Sequence, residues 1–326
     1  MFPSVGRMRA LHFLSLMSFV SCGWHVVQAQ PYAYITNQKD NNVSVIDTAM
    51  GIVTATIPVG KAPAGVAVTR DGSRVVVSNP GDQSISIIDG HKQKLLANVK
   101  VGEGPLGLAV DGVGHYAYVA DFYGHYVSCL DLIERRTVKR VSVGRYPAGI
   151  VVSMDGKLLY VTNREDDSVS QISTDTMQVI KTIAVGHHPF GLLMDEKMNR
   201  LYVANVGSND VSVIDARQLR LIGTVKVGDR PYALASALGG RRIFVTNQYD
   251  NNVSVIDAVN TKVMATVDVG EYPEGISGHP DQAHIYVANW FNNTVTVINA
   301  RDLVVEKIIL TGDGSRAFGQ FIPMGE

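Results

Sequence analysis

The side chains best suited to chemistry in this chain are the adjacent pair His187 and His188, with Arg145, Tyr146 and Glu271 at related places along the sequence. Imidazoles ligate metals and move protons near neutral pH. An Arg, a His and a Glu brought together can polarise a carbonyl and activate water. A metal site needs three or four convergent ligands, and the next histidine upstream, His125, is remote in sequence. No metal, no cofactor and no catalytic residue is therefore assigned. Arg145, His187 and Glu271 remain the candidates for a hydrolase.

Other chemical motifs fall away on context. Gly102-Glu103-Gly104-Pro105-Leu106-Gly107 spells G-x-G-x-x-G, but a strand-like run follows where a dinucleotide site needs a helix. There is no C-x-x-C-H, Walker loop, H-E-x-x-H or G-x-S-x-G. Glu165-Asp166-Asp167 lacks the spaced oxygens of a calcium loop and reads as a solvated turn. Cys129 falls in a column otherwise filled mostly by Val and Ile, so it reads as a buried structural thiol.

The elements that must position these residues recur. Asn37, Asn79, Asp121, Asn163, Asn205, Asn247 and Asn289 are each 42 residues from the last, and so are Gly60, Gly102, Gly144, Gly186, Gly228, Gly270 and Gly312. One supersecondary unit is therefore stacked seven times. Within a unit, runs such as Ile243–Thr246, Val253–Ile256 and Val263–Val269 are short, β-branched and bounded by Asn, Asp or Gly. No segment carries a helical period. The expected fold is all-β: a seven-bladed β-propeller of four antiparallel strands per blade. The segment 316–322 should supply the innermost strand that the first blade lacks, closing the ring.

The punctuation carries expectations of its own. The column Asp47, Asp89, Asp131, Ser173, Asp215, Asp257, Asn299 suits Asx- or Ser-type turns. The first Gly of the Gly-x-x-Pro-x-Gly pattern is expected to turn at positive φ. The last position of that pattern is always Gly or Ala, as a crowded axis would require.

Tyr160-Val161-Thr162-Asn163, Tyr202-Val203-Ala204-Asn205, Phe244-Val245-Thr246-Asn247 and Tyr286-Val287-Ala288-Asn289 resemble the YVTN β-propeller repeat family over residues 32–322. No Trp-Asp dipeptide supports a WD40 reading. The resemblance implies a periplasmic or cell-surface propeller, and suggests an accessory role beside quinoprotein (PQQ-dependent) alcohol oxidation.

Residues 1–29 read as a secretory signal, with Arg7 and Arg9 ahead of an apolar stretch too short to span a bilayer and Val27-Gln28-Ala29 before the cut. The propeller then occupies 30–326, in the periplasm. The alternatives are lipid anchoring at Cys22 or a place on the cell surface. The chain has 46% apolar and 18% charged residues, as an ordered domain should. Loss of Arg7 and Arg9 brings its net charge near −3, which offers no general basic field for nucleic acid.

In a propeller, the loops from second to third strand and from fourth strand to the next blade share one face, the top face. Phe122, Tyr123, Arg145, Tyr146, His187, His188, Tyr249, Tyr272, Trp290 and Phe291 all fall in those loops, where small polar residues would suffice. Aromatic and Arg side chains are typical binding anchors. The expected function is a monomeric, non-enzymatic, exported propeller binding a periplasmic protein or small ligand there, with the aromatic residues ringing the channel mouth. A lactonase-like hydrolase and a structural surface repeat protein are the other two readings.

Overall fold

The β-branched runs of each repeat form strands, the second and third of a blade buried on both faces and the outermost mostly exposed. The computed structural model describes residues 1–2 and 31–325. The expected signal, apart from its first two residues, and Cys22 lie outside them. Seven sheets surround an axis. Blade 4 shows the plan: Pro147–Val152 innermost, then Leu158–Asn163, Ser168–Ser173 and Gln178–Ala184 outermost, each antiparallel to the next. Six blades have four strands, and the first contributes three, Tyr32–Asn37, Asn42–Asp47 and Ile52–Pro58. Among the described residues no helix is long and apolar enough to cross a membrane.

Alternate residues of one strand serve two interfaces. Leu159 and Val161 pack with Tyr118 and Ala120 of blade 3, while Tyr160 packs with Leu201 and Val203 of blade 5. The tyrosines reach across the seam, the hydroxyls of Tyr34 and Tyr160 donating to the carbonyls of Gly90 (3.0 Å) and Ala216 (3.3 Å). Cys129 is buried in the same way, and burial pushes its thiol up to about 11, as an inert core residue requires.

The ring closes through the segment that follows blade 7. Its backbone is bonded on both edges. The N–H of Arg316 donates to Thr36 O (2.9 Å) and that of Tyr34 to Phe321 O (3.0 Å). The N–H groups of Val66 and Val68 donate to Phe318 O (2.9 Å) and Gln320 O (3.1 Å). It takes the place of the fourth strand of blade 1, but irregularly: Ala317 and Gly319 have φ of 48° and 117°.

The recurring small residues have two different causes. At Gly107 an added Cβ would stand 1.9 Å from Ala148 O of the next blade, and at Gly65 2.2 Å from Leu106 O, so the inner strands are in backbone contact. The column of Gly60, by contrast, does not turn at positive φ as expected. Those glycines lie on the Asn amide of the neighbouring blade (the Asp121 carboxylate for Gly102), where a Cβ at Gly60 would meet the Asn79 side chain at 2.6 Å. The positive φ falls two residues later, at Ala62, Tyr146, His188, Arg230 and Tyr272. The buried Asn column is equally regular: Asn163 Nδ2 donates to Ser168 Oγ (3.0 Å) and Ser170 Oγ (2.9 Å). The Asx turns form as expected, Asp131 Oδ1 accepting from the N–H groups of Ile133 (2.9 Å) and Glu134 (2.8 Å).

Some blades add a hydroxyl bridge. Thr162 Oγ1 accepts from Gly149 N–H (2.9 Å) and donates to Phe190 O of blade 5 (2.7 Å). Thr162→Ala leaves both backbone groups unpaired and is expected to cost about 1–2 kcal/mol. A lowered denaturant midpoint with unchanged slope checks this. An unchanged midpoint would show that the bridge contributes nothing.

Candidate interaction surface

The top-face loops are pinned by their own repeat. The residue at positive φ in each loop from second to third strand is polar, and its side chain usually accepts the N–H of a residue 21 positions on. Asn41 serves Ala62 (2.8 Å), His125 Nδ1 serves Tyr146 (3.1 Å), Asp167 serves His188 (2.8 Å) and Asn251 serves Tyr272 (2.9 Å). His125 is thus a stand-in for Asn, and its Nδ1 must carry the lone pair. Backbone bonds join the two loop classes as well: Arg164 N–H to Tyr146 O (3.1 Å), Gly207 N–H to His187 O (2.9 Å) and Trp290 N–H to Tyr272 O (3.1 Å). All ten candidate residues therefore stand on one face.

They form two groups on that face rather than one continuous ring. Phe122, Tyr123 and Tyr146 meet edge-on with centroids 5.0–6.4 Å apart, and His125 packs on Tyr146 at 5.0 Å. Tyr249, Tyr272, Trp290 and Phe291 form the other, with successive centroids 4.8–5.8 Å apart and Arg230 stacked 4.3 Å above Tyr249. Tyr123, Tyr249 and Phe291 are 59%, 52% and 55% exposed. Between the groups the polar side chains are paired: Arg145 Nε with Asp166 (2.7 Å) and Arg164 with Glu165 as ion pairs, and His187 Nδ1 in hydrogen-bond contact with Asp167 (2.7 Å). The Arg145 backbone and guanidinium hydrogen bonds hold the Asp166 carboxyl below its ordinary range. Among the described residues no ion pair or hydrogen bond joins Arg145, His187 and Glu271 to one another.

Below the groups, one column of the repeat fills the axis: Ala64, Leu106, Ala148, Phe190, Tyr232, Glu274 and Arg316. Phe190 stacks on Tyr232 at 4.2 Å and both contact Phe318, so rings plug the channel near this face. Glu274 and Arg316 form a buried ion pair beside the plug, with Arg316 also donating to Tyr232 Oη (3.2 Å) and Gln248 to Glu274 Oε1 (3.1 Å). Burial opposes the charge of Arg316, but the Glu274 carboxylate outweighs it and holds the guanidinium above its ordinary value. Burial likewise pushes the Tyr232 phenol up. Reading that column across the repeats would have revealed opposite charges on adjacent blades. Their contact depends on distance from the axis, which the period alone does not give.

The axial cavity lies on the other side of the plug. Its volume is about 630 Å³, its walls include Leu108, Ile150, Leu192 and Leu234, and Arg70, Met154 and Lys197 are at its rim. None of the ten candidates lines it. Sequence reading also passed over His279, Asp281 and His284, whose ligand atoms lie within 4.8 Å of one another. Asp281 fills a turn-capping slot shared with Asp71 and Asp155, which hid it, whereas no sister repeat has a histidine at either flanking place.

Comparison with known proteins agrees with this architecture. Residues 128–279 match the family described as YNCE-like beta-propeller. No curated protein matches the chain. Among solved structures it is similar to Kuenenia stuttgartiensis hydrazine synthase, with 21% identity, TM-score 0.70, and coverage of 77% of this chain and 87% of that one. It is also similar to a functionally unknown protein from Desulfotomaculum acetoxidans, with 13% identity, TM-score 0.76, and coverage of 88% and 99%. A third likeness is to the dihydro-heme d1 dehydrogenase NirN in complex with DHE, with 15% identity, TM-score 0.67, and coverage of 88% and 74%. At these identities the likeness is one of fold, and the fold hosts unrelated activities. The chain is a seven-bladed propeller repeat protein.

Proposed function

We propose that the chain is an exported binding propeller whose top face docks a protein partner. The observation carrying this is the exposure of Tyr123, Tyr249 and Phe291 on loops already fixed by hydrogen bonds. Exposed aromatic groups on a rigid surface bind with little ordering cost, and soluble proteins seldom expose such clusters without use. The ring plug fills the channel near this face, which favours a protein over a small ligand. The YVTN resemblance and the Arg7/Arg9-led signal support a periplasmic setting, and the same resemblance supports a role accessory to quinoprotein alcohol oxidation. Arg145 and His187, each already held by an aspartate, do not favour the hydrolase reading.

The double variant Tyr123→Ala with Phe291→Ala removes one anchor from each group. It is expected to weaken partner binding by at least about thirtyfold, from about 2 kcal/mol or more of lost anchor energy, with an unchanged melting temperature. Affinity of the periplasmic partner measured for both proteins checks this. Equal affinities would refute the assignment, and a lowered melting temperature would show that the rings act as lids on the blades.

A further inference from the structure

We propose that His279, Asp281 and His284 form a binding site for a divalent transition metal of the zinc class, at the seam where blade 7 meets blade 1. His279 and Asp281 lie on the turn joining the first two strands of blade 7, Pro273–Gly278 and His284–Asn289, and His284 opens the second strand. Their side chains aim at one point. Asp281 Oδ2 is 2.9 Å from His279 Nδ1 and 2.6 Å from His284 Nδ1.

The far nitrogen of each ring already faces an oxygen acceptor. Thr48 Oγ1 donates its own proton to Pro31 O (2.6 Å), so at 3.2 Å from His279 Nε2 it must accept. His279 Nε2 therefore donates to it, which leaves Nδ1 facing Asp281. The N–H of Asp281 makes a long contact with the same nitrogen (3.3 Å). His284 Nε2 faces the Glu306 carboxylate at 3.1 Å, which can only accept, so that nitrogen is protonated as well. Both rings thus turn Nδ1 toward one carboxylate oxygen, Asp281 Oδ2. A shared cation at about 2.0–2.2 Å from each donor satisfies all three.

The surroundings are those of a built site. Metal-bound histidines donate their other N–H to a carboxylate or oxygen acceptor, which fixes the ring and raises its basicity. Glu306 and Thr48 take that place, and Asn299 Nδ2 holds the other Glu306 oxygen (2.8 Å). Asp281 Oδ1 is occupied by the N–H groups of Ala283 (2.7 Å) and His284 (3.1 Å), which orients Oδ2 inward. His279 stacks on Tyr286 at 5.9 Å. A cleft of about 540 Å³, lined by Pro31, Thr48 and Lys307 among others, opens beside the donors. With two nitrogens and one oxygen from the protein, coordination stays open to water on that side. An N₂O set suits zinc, cobalt or nickel rather than calcium or magnesium.

The test uses the untagged mature chain, stripped with EDTA and titrated with Co²⁺ and then Zn²⁺. One Co²⁺ per chain, giving a saturable visible absorption band that Zn²⁺ displaces, is the expected result. His279→Thr and His284→Arg place sister-repeat residues in these slots, since Thr69 and Arg74 stand in the corresponding columns, so the variants should fold. Each should lose the band. Glu306→Gln should keep it while binding about 10–100-fold more weakly. Absence of a saturable band, or a band unchanged in both histidine variants, overturns the site.

Discussion

Deleting residues 314–326 is expected to unfold the ring rather than trim it. Ala317, Phe318, Phe321 and Ile322 are at most 5% exposed. Burial of a Phe or Ile side chain contributes about 1.5–3 kcal/mol, so the three large ones together approach the about 5–15 kcal/mol that holds a whole domain folded. Deletion also strips hydrogen-bond partners from Tyr34 on one side and Val66 and Val68 on the other. The strand Tyr32–Asn37 becomes an open sheet edge, a template for aggregation. Loss of the cooperative thermal transition in circular dichroism, with aggregation, is the predicted outcome. A truncated chain melting at the full-length temperature would mean that the ring closes by some other contact.

Glu274→Ala is expected to cost about 3–5 kcal/mol, the usual penalty for leaving a buried charge unpaired. The side chains of Glu274 and Arg316 are 3% and 19% exposed, and Tyr232 and Gln248 complete the network. Removing the carboxylate strands the guanidinium among Tyr232, Trp290 and the channel plug. Replacing both partners, Glu274→Leu with Arg316→Met, should recover most of that loss, because an apolar pair of similar volume is often neutral. The same column already holds Leu106 and Phe190. Urea unfolding of the wild type, the single and the double variant checks this. A double variant no more stable than the single would show that the ion pair is not the energetic unit.

Much of the scaffold was legible because each repeat solves the same local problem seven times. The Asx column, the strand runs and the Gly-or-Ala column near the axis each follow from one repeat's chemistry, and Gly107 shows the last as backbone contact between blades. The Gly60 column misled because a glycine can serve close approach as well as a turn. Here it accommodates Asn79, and the turn is made two residues later at Ala62. The site was less legible. Which blades carry aromatics is written in the sequence, but their separation into two groups depends on loop spacing around the ring. Glu274 with Arg316 had its signal in a single column of the repeat. His279 and His284 were masked by the turn role of Asp281.

Binding through the top face can be tested directly. A photo-crosslinking residue placed at Tyr123 or Phe291, with a matched one at Met154 by the opposite mouth, tests it in the living host. Met154 is 59% exposed, so access is comparable. The expected result is the same single protein adduct from Tyr123 and Phe291, its loss when Tyr249→Ala is added, and no such adduct from Met154. The same adduct from Met154, or no protein adduct from either top-face position, would contradict it.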